Sequence, residues 1–124
     1  MRSPTARTLE YLRKTGIKAA VVERYNPWAR KRVDVFGGDI LTINGKLIQT
    51  TSGDNHSARL TKSLENIDVI EWISHANGFE VWSWRKGGPR GKRKVWTLRR
   101  TVIQYNPLSC NVEACEINDA GKLI

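Results

Sequence analysis

Apolar positions recur at two spacings along the chain, and these spacings predict an alternation of helices and strands. Residues 4–15 show a helical pattern that opens with a serine cap and a proline and ends at Gly16. Helical patterns also cover residues 54–65 and 67–76, and Asn66 is placed to cap the second of these. We therefore expect three helices, the last two of which follow each other almost directly.

Short runs rich in β-branched and aromatic residues predict strands around these helices. The predicted strands are residues 17–24, 39–43, 46–51, 79–84 and 94–103. Asn44-Gly45 separates the second strand from the third, and Asn-Gly between apolar runs is a strong signal for a β-hairpin. The order of elements predicts an α/β fold, with a mixed β-sheet of about five strands and the helices packed against it.

The length of the chain fits a single domain. A single core usually takes about 100 to 150 residues, and this chain has 124. Five tryptophans and a hydrophobic content of 40% supply enough apolar surface for a compact core. We expect residues 1–105 to form this domain and residues 106–124 to be a loosely packed tail, because the hydrophobic periodicity fades there.

Charge is concentrated at two basic flanks around an acidic middle. The formal net charge is +9, and residues 85–100 hold eight basic residues and no acidic one. Such a distribution favours a polyanionic partner, with nucleic acid as the first candidate. The basic residues expected to contact nucleic acid are Arg30, Lys31, Arg32, Arg59, Lys62, Arg90, Lys92 and Arg93. Trp28, beside the first of these groups, is placed either to stack on an unpaired base or to pack in the fold.

Other features point to a cytoplasmic protein without a membrane span. No apolar run approaches the roughly 20 residues that a spanning helix needs, and the N-terminus lacks the apolar stretch of a signal peptide. Cys110 and Cys115 lack further ligands at the spacing of a zinc site, so we expect free thiols. His56 and His75 have no neighbours in sequence that suggest catalysis, and we interpret both as surface or structural residues.

The tryptophans of the last two predicted strands favour packing over ligand binding. Trp82 and Trp84 share one face of their strand, and Trp96 is placed to lie across from them. We therefore leave these three residues out of the predicted site.

Three polar side chains fall where strand ends meet in the predicted sheet. Glu23 closes the first strand, Asp39 opens the second, and the third strand returns Gln49 beside Asp39. Carboxylate and amide oxygens are suitable ligands for Mg²⁺ or Mn²⁺. The register decides whether they converge. A two-residue loop at Asn44-Gly45 sends Gln49 to the opposite face from Asp39, whereas a three-residue loop with a bulge, or a bulge within a strand, brings them together.

Residues 33–52 (VDVFGGDILTINGKLIQTTS) resemble the core of the PD-(D/E)XK nucleases, including the Holliday junction resolvases and VRR-type relatives. Asp39 matches the motif aspartate, Gln49 the glutamate and Thr51 the lysine. Glu23 resembles the additional acidic residue of many members, with Asp34 and Glu10 as alternatives. The resemblance implies an αβββαβ restriction-endonuclease-like core. It also implies a Mg²⁺ or Mn²⁺ ion held by Glu23, Asp39 and Gln49, and a catalytic set that includes Thr51.

Two departures from the family motif bear on activity. Gln49 removes one negative charge from the metal site, and Thr51 removes a cation, for which Lys62 or Lys46 is a candidate replacement. The resemblance implies a metal-dependent endonuclease that hydrolyses DNA, with branched or otherwise structured DNA among its candidate substrates. Family relatives that cut junctions make a homodimer a candidate assembly. The alternative function is a catalytically inactive DNA-binding or adaptor protein, and an RNA-binding module is a third.

Overall fold

The computed structural model describes residues 3–22, 24–26, 31–33, 37–75, 77–87, 91, 95–106, 108, 111–118 and 122, with the backbone alone for 24–26 and 31–33. The helices are α1 (Pro4–Lys14), α2 (His56–Glu65) and α3 (Ile67–Ser74), and a 3₁₀ turn (Gly53–Asn55) precedes α2. The strands are β1 (Ala19–Val21), β2 (Arg24–Asn26), β3 (Lys31–Val33), β4 (Ile40–Thr42), β5 (Lys46–Ser52), β6 (Gly78–Gly87), β7 (Val95–Asn106) and β8 (Asn111–Ile117).

Six of the described strands form one mixed sheet. Its order is β1-β4-β5-β6-β7-β8, and β2 pairs with β3 as a separate two-stranded ribbon. Within the six-stranded sheet β5 and β6 are parallel, whereas all other neighbours are antiparallel. A parallel pair needs a crossover connection, and α2 and α3 supply it between these two strands. The α/β class and the mixed sheet are as the sequence predicts.

Two apolar clusters cover the two faces of the sheet. Leu12 of α1 packs with Ile40, Ile48 and Trp82 on one face. On the other face, the cluster with residues from α3 comprises Leu47, Val69, Ile73, Phe79, Val81 and Ile103. Side chains alternate between the faces of a strand, so the even-numbered residues of β5 face α1 and the odd-numbered ones face α2 and α3.

The β4–β5 hairpin has a three-residue loop. Ile40 pairs with Ile48 and Leu41 with Leu47, and residues 43–45 connect the end of β4 at Thr42 to the start of β5 at Lys46. Gly45 adopts a φ of 81°, a left-handed conformation that favours glycine, as a three-residue hairpin loop requires. The hairpin confirms the prediction from Asn44-Gly45, and its loop has an odd residue count.

The structure differs from the sequence predictions at both ends of the sheet. The first predicted strand, 17–24, contains β1 and the start of β2, which belong to different sheets. Within the predicted tail 106–124, residues 111–117 form β8, which pairs with β7 at seven positions and buries Ile117. Strand pairing uses backbone groups, so β8 forms without the alternating apolar pattern by which strands are recognised in a sequence.

None of the described helices combines the length and the apolar character that crossing a bilayer requires. Cys115 on β8 carries a free thiol, as expected from the sequence, whereas Cys110 lies outside the described residues.

Candidate functional site

Asp39 lies at a bulge directly before β4. Its backbone N–H donates to the carbonyl of Ile48 at 2.9 Å, although Ile48 is already the register partner of Ile40. Two successive residues therefore face one residue of β5, which is the arrangement of a β-bulge. The carbonyl of Asp39 accepts the N–H of Val22 at 2.9 Å, so Asp39 is held from both sides. Bulges redirect side chains, and this one directs the Asp39 carboxylate toward Thr50.

The Asp39 carboxylate is buried and bonded to β5. Its Oδ2 atom accepts the backbone N–H of Thr50 at 2.9 Å and the Thr50 hydroxyl at 3.0 Å. The Thr50 hydroxyl, which donates its proton to Asp39, accepts in turn from the Thr5 hydroxyl at 2.8 Å. Asp39 is 5% exposed. The first turn of α1 is thereby linked through Thr50 to the carboxylate that the sequence predicts as a metal ligand.

Gln49 has an unusual environment for a buried amide. Its Nε2 atom donates to the carbonyl of Thr50 over 3.4 Å, a long and therefore weak bond. Its Oε1 atom is buried and has no hydrogen-bond partner, the one such side-chain atom found in the described part of the chain. Gln49 and Thr51 are each 6% exposed, and both alternate with Leu47 on the face of α2 and α3.

The backbone of Asp39 is therefore bonded to Ile48, the residue before Gln49, but the side chains of Asp39 and Gln49 have different directions. The Asp39 Oδ2 atom is held by Thr50, whose hydroxyl faces α1, whereas Gln49 belongs to the opposite face. Glu23 and Asp34 lie outside the described residues, and the alternative Glu10 pairs with Lys14 on α1 at 3.3 Å. Across the described residues there is no group of three or more His, Cys, Asp or Glu side chains that could hold a metal ion.

The two candidate replacement lysines lie in different places. Lys46 is at the opposite end of β5 from Thr51, five residues or about 16 Å away along the strand, and its Nζ lies 2.5 Å from Oε2 of Glu80. Lys62 is exposed on α2. Lys46 is therefore paired with Glu80. Lys62 has no acidic partner among the described residues and is the better candidate to replace the motif lysine.

The structure describes only some of the residues predicted to contact nucleic acid. Arg59 and Lys62 are exposed on α2, and neither has an acidic partner within the described ranges. Lys31 and Arg32 belong to β3, where the backbone alone is described. The remaining predicted contacts lie outside the described residues: Arg30, Arg90, Lys92 and Arg93.

Sequence reasoning missed a buried ionic cluster on the α1 face of the sheet. Glu80 is 2% exposed, and its Oε1 accepts from Arg100 Nε at 2.9 Å and from Trp82 Nε1 at 3.0 Å, while Lys46 binds its Oε2. Burial by itself raises the pKa of Glu80, but the hydrogen bonds and charges of Arg100 and Lys46 outweigh it and lower the pKa below the ordinary 4.5. No sequence motif marks this cluster, because its members come from three strands.

Sequence reasoning also missed a hydrogen-bonded chain through His56. This residue, at the start of α2, is fully buried, with Nδ1 at 2.5 Å from the Ser83 hydroxyl and Nε2 at 2.8 Å from the Thr101 hydroxyl. Thr101 donates to Glu116 at 2.8 Å, so it accepts a proton from Nε2 of His56, and Ser83 donates to Nδ1. Burial and then the charge of Arg99 lower the pKa of His56, while Glu116 acts in the opposite direction. His56 is therefore buried and hydrogen-bonded on both ring nitrogens, and the surface alternative for it is wrong.

Comparison with known proteins adds no assignment: no protein-family model, no curated protein and no solved structure matches this chain.

Proposed function

We propose that the chain is a metal-dependent endonuclease that hydrolyses DNA phosphodiester bonds, built on an αβββαβ core of the restriction-endonuclease type. The order of elements supports this proposal. Helix α1 is followed by the antiparallel strands β1, β4 and β5, then by the helical crossover and by β6 parallel to β5. In open α/β sheets, ligands bind at the carboxyl ends of parallel strands, and Thr51 lies at that end of β5, two residues after Gln49 in the middle of the strand.

The unpartnered Oε1 atom of Gln49 is the observation that carries the proposal. A buried amide oxygen without a donor costs about 1 to 3 kcal/mol, and a cation removes that cost. Asp39 and Gln49 supply a carboxylate and an amide oxygen, which suit Mg²⁺ or Mn²⁺, and Glu23 is the expected third ligand. The single 3.4 Å hydrogen bond of Gln49 leaves its side chain weakly held.

The described residues around this pair have separate tasks in the proposed reaction. A divalent cation bound there supplies an activated water and stabilises the negative charge that develops on the phosphate. Thr50 fixes the orientation of the Asp39 carboxylate through two hydrogen bonds. Arg59 and Lys62, exposed on the helix that follows β5, are suited to contact DNA phosphates.

A catalytically inactive DNA-binding or adaptor protein is the second candidate function. It is favoured by Thr51, which stands at the lysine position of the resembling family and is an uncharged, buried hydroxyl. A nuclease site without this cation has less stabilisation for the charge that forms during phosphodiester cleavage. The net positive charge of the chain favours DNA binding equally in both functions.

A cleavage assay with a matched variant tests the proposal. The wild-type protein is incubated with supercoiled, branched and single-stranded DNA in Mg²⁺, in Mn²⁺ and in EDTA. We expect cutting that needs the metal and is abolished in Asp39→Asn, while Asp68→Asn, which alters an exposed aspartate of α3, keeps full activity.

Binding measurements separate the two functions. Fluorescence anisotropy in EDTA reports affinity for the same DNA molecules without cleavage. Binding with no cutting under any metal condition would support the inactive alternative, whereas the absence of both would contradict the two proposals together.

A further inference from the structure

The first two turns of α1 are fixed on the sheet by two hydrogen bonds and one cation–π contact. Thr5 bonds to Thr50, and the buried hydroxyl of Thr8 accepts the indole N–H of Trp84 at 2.9 Å. The third contact is a stacked pair, since the guanidinium carbon of Arg7 lies 3.7 Å from the centre of the Trp96 ring. This distance is well inside the range of about 6 Å for cation–π contacts.

The stacked pair differs from the other two contacts because it is open to solvent. Trp96 is 39% exposed. Lys86, the register partner of Trp96, is also exposed and has no acidic partner in the described part of the chain. We refer to Arg7, Lys86 and Trp96 as the stacking platform.

An exposed Arg–Trp pair is a weak anchor for a helix. The position of α1 is already set by Leu12, which is 2% exposed, and by the edge contacts of Tyr11 with Trp82 and Trp84 at 5.6 and 5.7 Å between ring centres. Burying a leucine side chain contributes about 1.5 to 3 kcal/mol, more than an exposed cation–π pair at about 0.5 to 1 kcal/mol. Packing of α1 therefore does not account for an exposed tryptophan beside two cations.

We infer that the stacking platform binds an unpaired base of a DNA strand, with the base stacked on the guanidinium plane of Arg7 and the adjoining phosphate on Lys86. Aromatic rings and arginine planes accept any base by stacking, and lysine contacts the backbone. This inference rests on the proposed function, because it names single-stranded or locally opened DNA as the substrate class.

The platform lies at the same end of the sheet as the candidate site. Thr50 is level with Trp82 in the register, and Lys86 is four residues further along β6, about 13 Å. Thr5 connects α1 to the Asp39–Thr50 pair, while Arg7 of the same helix reaches Trp96. A strand held on the platform therefore passes the end of the sheet where Asp39 lies.

The test separates stacking from charge. Binding of a labelled single strand and of a duplex with the same sequence is measured by anisotropy in EDTA, on the Asp39→Asn background. Arg7→Lys keeps the charge but removes the planar stack, so we expect at least about fivefold weaker binding of the single strand, with duplex affinity and the salt dependence nearly unchanged. Trp96→Leu should give the same pattern. Arg13→Lys, an equal change at an exposed position of α1, should leave both affinities as they are.

Two results would overturn the inference. One is equal single-strand affinity in Arg7→Lys and Arg13→Lys, and the other is an equal loss for single strand and duplex, which assigns Arg7 a charge contact alone. Thermal unfolding of each variant verifies that it is folded. The outcome is independent of cleavage. Cutting without the single-strand effect contradicts the platform alone, and the single-strand effect without cutting leaves the platform in place and contradicts the nuclease.

Discussion

The hydroxyl of Thr50 lies 3.0 Å from Oδ2 of Asp39, the same oxygen that accepts the Thr50 backbone N–H. Thr50→Val keeps the shape of the side chain but leaves this buried carboxylate with one donor fewer. We expect a loss of about 1 to 2 kcal/mol in the free energy of unfolding, measured by urea denaturation. Thr5→Val removes the Thr5–Thr50 bond alone and should cost less. Equal losses in the two variants would show that Thr50 does not stabilise the Asp39 carboxylate.

Gln49→Glu places on β5 the carboxylate that the PD-(D/E)XK motif has at this position. Without metal, this buried negative charge should lower the melting temperature, since burial opposes ionisation. With Mg²⁺ or Mn²⁺, binding energy adds to stability, so the metal-induced rise in melting temperature should exceed that of the wild type. Differential scanning fluorimetry with and without metal measures both effects. A metal response no larger than that of the wild type would argue against Gln49 as a ligand.

Glu80 is the shared partner of two cations, and removing its charge should be costly. Glu80→Gln leaves Arg100, 8% exposed, without its counter-charge, so we expect a loss of about 3 to 5 kcal/mol in unfolding experiments at pH 7. Lys46→Met should cost about 1 kcal/mol or less, because its side chain is 30% exposed. If both variants lost the same free energy of unfolding, the loss could not be assigned to a buried Arg100 without its counter-charge.

The same carboxylate predicts sensitivity to acid. Its pKa is lower in the folded chain than the ordinary 4.5, so the unfolded chain binds the proton first as the pH falls. The contribution of Glu80 to stability is therefore present above pH 4.5 and is lost as the pH falls below it through the folded pKa. Urea denaturation between pH 5 and 3 should show a shallower decline in Glu80→Gln than in the wild type.

His56 predicts a separate pH dependence nearer neutrality. Burial and Arg99 keep its folded pKa below 6.5, so the unfolded chain takes up a proton at higher pH than the folded chain does. The free energy of unfolding should therefore decrease as the pH falls from 7 through 6.5, by at most about 1.4 kcal/mol per pH unit. His56→Gln should remove this slope, whereas His75→Gln, at an exposed turn after α3, should retain it. The same slope in both variants would exclude His56 as its source.

Gly37 and Gly45 share a φ of 81° but differ in their surroundings. A Cβ atom at Gly37 would lie 2.5 Å from Cγ2 of Val69, whereas nothing lies within 4 Å of one at Gly45. Gly45→Ala should therefore cost only the backbone strain, about 1 to 2 kcal/mol. Gly37→Ala should cost more, because the buried Val69 must also move. Thermal unfolding of the two alanine variants measures the difference, and equal losses would contradict the close contact.

Local signals account for the part of the fold that the sequence predicted well. Asn66 caps α3 by accepting the N–H of Asp68, and Asn44-Gly45 forms the β4–β5 turn, because both depend on a few neighbouring residues. β8 was not predicted, since its stability comes from pairing with β7. The bulge at Asp39 and the clusters at Glu80 and His56 could not be predicted either, because residues distant in sequence form them. Asp39 was found bonded to Ile48, the residue before Gln49, while the separate side-chain directions of Asp39 and Gln49 depended on that bulge.

The crossover between β5 and β6 has a consequence for how the molecule assembles. Paired residues of these strands, such as Lys46 and Gly78, are 32 positions apart in the chain, the largest separation between neighbouring strands of the described sheet. Closing a longer loop costs more chain entropy and slows folding. We therefore expect the strands before α2 and those after α3 to form two early units, whose joining along β5 and β6 is the late step in folding.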